Sequence, residues 1–347
     1  MRFEIYTDSD PEWRSVLNEI PAVNKDIYFL QEWYQTWLVH ENSQAHCIYA
    51  ELENYKFLYP FLKRRISKYD LDNVYYDIQT AYGYGGIISN KLQIPVTLQN
   101  KLNSIIDEYL FDNNIIAEFI RDHPLIDSIK RSADYSIARK NVFVLTNDLY
   151  KVPHKQARQN IAKAKALNME ILIDRDFEYI DEFIELYKKT AGRIKMAEYY
   201  WFDKDYFYKI KRKLSGLVTL IHIIFDGEII ASGLLLHYNE KASLHLTASN
   251  HNYFNFRPND FLYYAIIQFS IDNHIEILNL GGGLSKDPND SLFRFKSKYS
   301  DFHKEVYIGK KIINPNIYNK ITTEWAKKHP ELTSKYSNFF LRYQQEV

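Results

Sequence analysis

A lysine follows a run of three glycines at a spacing that could build a reactive site. The glycines Gly281, Gly282 and Gly283 come directly after a short apolar strand at Ile277–Leu280, and Lys296 lies in the helix predicted next. Glycine lets the backbone adopt positive φ and lets another group approach closely. The amine of Lys296 can point into the space that the glycines leave. The pattern predicts either the floor of an active site or a tight structural turn.

Two further groups of residues offer binding chemistry. Tyr82 and Tyr84 alternate with glycines after a predicted strand, and tyrosine combines a flat apolar face with a hydrogen-bonding tip. This stretch is either a tight turn or a ligand-facing loop. His245 lies on a predicted strand, Lys241–Ser249, where it shares a face with Thr247 and Ser249. Histidines in strands are more often packed or solvated than ligands.

A basic amphipathic helix is predicted at 154–165. Lys155 opens the helix, and His154, Arg158 and Lys165 spread over adjacent turns. The opposite, apolar face consists of Ala157, Ile161 and Ala164. A solvated helix surface is one explanation, and contact with phosphate on a ligand or on RNA is the other. The cluster is local, because the chain has 44 Lys and Arg against 44 Asp and Glu and therefore no general attraction to polyanions.

Several classes of site are excluded by missing motifs. The single Cys47 excludes an internal disulfide and a cysteine-based zinc site, and there is no HExxH or calcium-loop pattern. The serine-hydrolase elbow, the dinucleotide fingerprint and the P-loop are also absent. No apolar run approaches about 18 residues, and the N-terminus lacks the apolar core of a signal peptide. These features predict a cytoplasmic location, no transmembrane segment and no metal site.

The elements that must position these residues form two domains. A chain of 347 residues is long for one core, and the pattern changes at Asn147-Asp148. We predict a first domain at 1–148, a second at 149–313 that carries the active site, and C-terminal helices at 314–347 that pack back onto the first. In the second domain a hairpin signal, Asp226-Gly227, joins two of three antiparallel strands. The fold class is α+β (mixed α/β).

The order of these elements and several short motifs resemble the FemABX-like branch of the GNAT superfamily, the aminoacyl and peptidyl transferases of peptidoglycan bridge formation. The matching pieces are the glycine triplet, Ser291–Lys296, Tyr307-Ile308-Gly309, Lys155–Ala164, Thr190–Arg193, Pro258-Asn259, Trp33-x-x-x-Trp37 and Tyr82–Gly86. The resemblance covers nearly the whole chain. It implies two tandem GNAT-like domains, each a mostly antiparallel mixed sheet flanked by helices.

The resemblance also implies roles for individual residues. Lys296 would stabilise the oxyanion that forms when an amine attacks an acyl carbonyl, with Phe295 packed beside it and help from backbone N–H groups near Gly281–Gly283. Arg193 matches a position that contacts an acceptor diphosphate. The donor would be an aminoacyl-tRNA, held through the basic helix, with no tightly bound cofactor. The acceptor would be an amine on a small-molecule or lipid-linked sugar or muropeptide of the cell envelope.

The chain departs from the family pattern in three places. Trp37 and His40 stand where a diphosphate-binding lysine is expected, the helical hairpin of some members is missing after Ala166, and the loop that cradles the pyrophosphate of acetyl-CoA is absent. Two alternatives therefore stand beside an aminoacyltransferase. One is an acyl-CoA-dependent sugar N-acyltransferase, and the other is a non-catalytic module that binds a glycan or a protein partner. The sequence does not indicate an oligomeric state.

Overall fold

The computed structural model describes residues 1–127, 129–131, 133–147 and 149–345. They form two compact units, one of residues 1–138 and 306–347 and the other of residues 139–305. The boundaries predicted from the sequence, after residues 148 and 313, lie later in the chain, and Asp148 itself is outside the described residues. Every helix in the described part is too short or too polar to span a lipid bilayer.

The elements alternate between helices and strands. In the described residues the strands are β1 (Arg2–Thr7), β2 (Ser43–Leu52), β3 (Tyr55–Ile66), β4 (Tyr75–Gln79), β5 (Ile88–Ser89), β6 (Ile115–Arg121), β7 (Asp134–Leu145), β8 (Glu170–Asp174), β9 (Val218–Phe225), β10 (Glu228–Tyr238), β11 (Lys241–Ser249), β12 (Ile277–Gly282) and β13 (Phe302–Ile312). The α-helices there are α1 (Pro11–Glu19), α2 (Gln31–Trp37), α3 (Val96–Asp112), α4 (Lys155–Ala166), α5 (Ile180–Arg193), α6 (Lys204–Lys213), α7 (Pro258–Asp272), α8 (Ser291–Lys296) and α9 (Pro315–Lys328).

The first unit is built on a sheet in the order β1-β2-β3-β4-β6-β13, with β5 paired to β3. Its ladders are antiparallel except for the parallel pair β4 and β6. Helix α3 contributes Leu102 and Ile106 to one core cluster, and α9 contributes Ile321 and Trp325 to another that includes Ile116 of β6. The C-terminal segment therefore packs on this unit.

The second unit is built on the order β7-β12-β11-β10-β9-β8. The β9–β10 hairpin turns at Asp226-Gly227, where both residues have positive φ, as the sequence predicts. Helix α4 buries Ala157, Ile161 and Ala164 on the apolar face that was predicted. These residues join α7 in one core cluster. The predicted class, mixed α and β with mostly antiparallel sheets flanked by helices, is confirmed.

The predicted C-terminal helices at 314–347 are wrong in the part between α9 and Gln345. The chain there forms short 3-10 helices at Pro330–Leu332 and Arg342–Gln344. Tyr343 is buried in the first unit, and its carbonyl accepts a hydrogen bond from Tyr69 Oη at 2.9 Å. These tertiary contacts outweigh the local helix propensity of the segment.

Candidate active site in the second unit

The strands β11 and β12 part at one end of the sheet. Their parallel pairing covers Lys241–Ser243 and Ile277–Asn279, although β11 continues to Ser249 and β12 to Gly282. The pairing that the structure describes therefore stops short of the carboxyl ends of both strands. In open α/β sheets, ligands bind in the crevice beyond the carboxyl ends of parallel strands. The parting of β11 and β12 is therefore a candidate site.

Each of the two strands carries an extra residue near the point where they part. In β11, Leu244 and Leu246 face consecutive residues of β10, so His245 is a bulge. In β12, Asn279 and Gly281 face consecutive residues of β7, so Leu280 is a bulge. Bulges bend a strand and re-aim its side chains, and they are frequent beside active sites. They explain why the two strands separate here.

Lys296 reaches the end of β12. Its Nζ donates a hydrogen bond to the carbonyl oxygen of Gly282 at 2.9 Å. A Cβ on Gly281 would stand 3.0 Å from this amine, and the φ of Gly281 is +76°. Glycine is therefore needed at position 281 for two reasons: the backbone there is left-handed, and the Lys296 amine approaches it closely. The predicted link between the glycine triplet and the lysine is present in the structure.

The ammonium group of Lys296 is destabilised where it stands. Burial, together with a smaller repulsion from the Arg139 guanidinium, lowers the pKa of Lys296 to about 7, while the Asp290 carboxylate opposes the shift. Desolvation disfavours a charged group, and a nearby opposite charge offsets part of that penalty. Near neutral pH the amine thus populates both protonation states. Such perturbed groups in crevices are frequent at functional sites.

Backbone amides of the glycine triplet are partly engaged by the protein. The N–H of Gly281 donates to Asn279 Oδ1 at 2.8 Å, and Asn141 Nδ2 donates to the same oxygen at 3.2 Å. The N–H of Gly281 is therefore directed at a side chain of its own strand. The proposed contribution of backbone N–H groups to oxyanion binding stays a prediction, and in this geometry Gly281 does not supply it.

Asp290 ties the glycine loop to the helix that carries Lys296. Its carboxylate accepts N–H bonds from Leu292 and Phe293, both at 3.0 Å, and from Leu284 at 2.9 Å. It also fills the space beside Gly283, where a Cβ would approach its Cγ to 2.5 Å. Although burial acts in the opposite direction, these N–H groups hold the pKa of Asp290 below its usual range. A permanent carboxylate therefore fixes the start of α8.

Phe295 lies on the apolar side of α8. Its ring meets Tyr263 edge-on at 5.0 Å between centroids and Tyr299 at 5.7 Å, within the main core cluster of the unit. Tyr263 and Tyr299 also stack on each other at 5.1 Å. These contacts anchor α8 and thereby Lys296, which is consistent with the expected packing role of Phe295.

His245 forms a hydrogen bond with the hydroxyl of Tyr206 on α6, at 2.7 Å from Nε2. Burial lowers the pKa of His245 to about 3, so the imidazole is neutral across the physiological range. At the β11 bulge His245 is therefore a hydrogen-bonding group and does not contribute a positive charge. Its predicted role in substrate binding stays a prediction.

The predicted phosphate-binding residues of the second unit lie on exposed surface. Lys155 begins α4, and Arg158 donates from Nη1 to the carbonyl of Val152 at 2.9 Å and to that of Pro153. Arg193 ends α5, and its guanidinium lies 5.0 Å over the ring of Phe254. All three are accessible to a ligand, although Arg158 also has a capping role in its own segment.

Tyr82 and Tyr84 belong to the first unit. Tyr82 is partly exposed and stacks on Trp37 at 5.0 Å between ring centroids. Tyr84 is 3% exposed and meets Tyr28 edge-on at 5.0 Å, so its ring is part of the core. Gly83 is required between them, because a Cβ there would approach the ring of Tyr28 to 2.3 Å. The structure therefore leaves Tyr82 as the accessible tyrosine of this pair.

Sequence reasoning missed Asn279, Asp290 and Arg139. Asp290 has a readable signal, because an Asp directly before an apolar run is a typical N-cap. Asn279 and Arg139 have no local sequence signal. They are brought to the site by the pairing of β12 with β7, two strands that are far apart in the chain. Among the described residues, no group of three or more His, Cys, Asp or Glu side chains could hold a metal ion.

Comparison with known proteins places these features in context. Residues 154–297 match the family model for an acetyltransferase (GNAT) domain. A curated relative, the UDP-N-acetylmuramoylpentapeptide-lysine N(6)-alanyltransferase of Weissella viridescens, is 24% identical over 186 residues. That alignment covers 52% of this chain and 52% of the relative, so about half of each protein is matched.

Solved structures share the fold over most of the chain. A crystal structure of FemX has a TM-score of 0.67 at 15% identity and covers 92% of this chain and 100% of its own. L-PGS from Bacillus licheniformis has a TM-score of 0.57 at 12% identity, covering 88% and 92%. A tandem GNAT protein from the clavulanic acid pathway has a TM-score of 0.50 at 9% identity, covering 90% and 99%. The predicted tandem GNAT fold is confirmed.

Proposed function

We propose that this chain, which is similar to FemABX-like proteins of the GNAT superfamily, is an acyltransferase that moves an aminoacyl group onto an amine of a cell-envelope precursor. The observation that carries the proposal is the amine of Lys296, held 2.9 Å from the Gly282 carbonyl where β11 and β12 part. The alanyltransferase name of the Weissella relative supports the aminoacyl donor and the muropeptide acceptor.

In the proposed reaction the acceptor amine attacks the carbonyl carbon of an aminoacyl ester. The new C–N bond forms, the carbonyl oxygen becomes an oxyanion, and the ammonium of Lys296 stabilises that charge in a partly dehydrated crevice. Collapse of the intermediate breaks the C–O bond of the ester. The amine loses a proton, the departing hydroxyl gains one, and an amide and a deacylated donor result.

Aminoacyl-tRNA is the proposed donor. Support comes from the exposed cations of α4, among them Lys155 and Lys163, which suit phosphate contacts on a chain without net charge. Arg193 is proposed to contact phosphate on the acceptor, since guanidinium matches phosphate geometry. A cytoplasmic location is part of the proposal, because aminoacyl-tRNA is made in the cytoplasm. The identity of the amino acid and of the acceptor amine stays open to the test.

The donor assay decides between the proposal and its alternatives. The protein would be incubated with labelled aminoacyl-tRNA and a muropeptide that carries a free lysine amine, and in parallel with labelled acetyl-CoA and an amino sugar. We expect label on the muropeptide and none on the amino sugar. Transfer from CoA, together with thermal stabilisation by CoA, would replace the proposal with the sugar N-acyltransferase. Glycan binding without transfer from either donor would favour the non-catalytic module.

The pH dependence of transfer should reveal which form of Lys296 acts. A free lysine amine on the acceptor must be neutral to attack, so the rate rises about tenfold per pH unit below the amine's pKa of about 10.4. The Lys296 ammonium is lost as pH rises through its pKa of about 7. If the ammonium acts, log kcat/KM should rise up to pH 7 and then level off. The measurement is a pH profile of kcat/KM for wild type and Lys296→Met.

The variant is the control for this profile. Without Lys296 the break near pH 7 should vanish, and the lower rate should rise with one slope toward the pKa of the acceptor amine. A wild-type slope of about two below pH 7 and about one above it, with no levelling off, would mean that the neutral amine acts as a base. That outcome would contradict the proposed role of the ammonium.

A further inference from the structure

An exposed aromatic and basic patch lies where α5 ends. It surrounds the turn that leads from α5 toward α6, and its apolar side chains are unusually accessible. Ile194 is 51% exposed, Tyr199 40% and Trp201 48%. We call this surface the α5-end patch, and its members are Lys189, Arg193, Ile194, Lys195, Tyr199 and Trp201.

The patch is a compact surface held by specific contacts. After α5 the chain reverses at Lys195, which has a φ of 49°, and the N–H of Met196 returns to the carbonyl of Ala191 at 3.0 Å. Trp201 Nε1 donates to the carbonyl of Met196 at 3.0 Å. The indole stands 3.7 Å from the place where a Cβ on Gly192 would be. Trp201 is thus fixed against the helix end while about half of it faces solvent.

The charge of the patch is positive. Between Lys188 and Trp201 the chain has four cationic residues against one acidic residue, Glu198. Lys188 is engaged by Glu185 at 2.9 Å, which leaves Lys189, Arg193 and Lys195 as the patch's own cations. Arg193 is held over Phe254, so its guanidinium keeps a fixed position on this surface. The excess is local, because the whole chain carries no net charge.

We propose that the α5-end patch docks this protein on an anionic lipid surface. Trp and Tyr are the residues that favour the headgroup level of a bilayer, because their rings are apolar with a polar edge. Ile194 would enter the acyl boundary, and Lys189 and Lys195 would meet lipid phosphates. A nucleic acid would use the cations and the aromatic rings but gains nothing from an exposed isoleucine. This inference is independent of the proposed reaction and would bring the acyl site to lipid-linked acceptors.

The test is co-sedimentation of the 347-residue protein with vesicles, without donor or acceptor. We expect binding to phosphatidylcholine vesicles that contain about 30% phosphatidylglycerol, weak binding to pure phosphatidylcholine, and loss of binding at high salt. Ile194→Ser/Trp201→Ser should weaken binding about tenfold or more. Lys189→Gln/Lys195→Gln should weaken it about 30-fold, since each cation near the surface contributes about a factor of five.

A matched control separates this patch from general surface hydrophobicity. Phe111 is 57% exposed on α3 of the first unit, so Phe111→Ser removes similar apolar surface elsewhere. It should bind vesicles like wild type. Lys189→Gln/Lys195→Gln changes exposed side chains alone. It therefore still tests the patch if Ile194→Ser/Trp201→Ser has a lowered unfolding temperature. Absence of binding to anionic vesicles, or equal binding by wild type and the charge variant, would overturn the proposal. Failure of the donor assay would not affect it.

Discussion

Replacing Lys296 with methionine should lower kcat for aminoacyl transfer by about two to three orders of magnitude, while the protein stays folded. The variant removes the cation proposed to stabilise the oxyanion and keeps a side chain of similar length. The carbonyl of Gly282 loses one donor. The measurement is steady-state kcat and KM, together with the thermal unfolding midpoint at pH 7.

Stability should change little, and the sign follows from the pKa. Burial lowers the pKa of Lys296 from 10.5 to about 7, so between these values the unfolded chain binds more protons and stability rises with pH. Below pH 7 the folded protein carries a buried ammonium that methionine lacks. Lys296→Met should therefore unfold no earlier than wild type at pH 7, which separates loss of chemistry from loss of fold.

Lys298→Met is the matched control for this variant. Lys298 lies two residues further along, and its amine rests 5.6 Å over the ring of Phe295 instead of reaching β12. Its removal should leave kcat within about threefold of wild type, because the amine that is lost lies over Phe295 and not at the Gly282 carbonyl. A Lys296→Met rate as high as that of Lys298→Met would remove Lys296 from the mechanism.

Substituting Gly282 with alanine should damage both the site and the fold of the second unit. The added Cβ would stand 2.3 Å from the backbone carbonyl of Lys140 and 2.7 Å from Asn141 Oδ1. A backbone atom cannot rotate away, so β7 and β12 must shift apart. Overpacking of this kind costs about 1–3 kcal/mol. The carbonyl that positions the Lys296 amine would move as well, and kcat should fall by about tenfold or more.

Gly192→Ala is the control for the stability part of this prediction. A Cβ at Gly192 meets the ring of Trp201 at 3.7 Å, an ordinary contact, and alanine is a better helix former than glycine. Urea unfolding at fixed pH should therefore show a stability equal to or higher than that of wild type. If Gly282→Ala unfolded at the same urea concentration as Gly192→Ala, the close approach of β7 and β12 would not exist as described.

Much of the fold could be predicted from local sequence patterns. The Asp226-Gly227 turn and the apolar face of α4 depend on residues within one or two turns of one another, and the structure confirms both predictions. The glycine triplet and Lys296 were also linked correctly, because one short loop separates them. What the site residues bind remains a prediction.

The pairing of strands that are far apart in the chain could not be predicted from the sequence. The bulges at His245 and Leu280 exist through register against β10 and β7, and the parting of β11 and β12 follows from them. A single sequence does not encode these partners in any local pattern. The conformation of the C-terminal segment was predicted wrongly for a similar reason. It depends on the burial of Tyr343 in the first unit, which is a tertiary contact. Tyr84 likewise lies in a core that its glycine-rich surroundings do not predict.

The role of Lys296 is tested by a single-turnover measurement of amide formation with aminoacyl-tRNA and a muropeptide amine, with product mass as the readout. Wild type should yield the acceptor enlarged by one amino acid residue together with deacylated tRNA. Lys296→Met should bind both substrates with unchanged affinity and form the amide about two to three orders of magnitude more slowly. Equal rates of amide formation by the two proteins would contradict the proposed stabilisation of the oxyanion by the Lys296 ammonium.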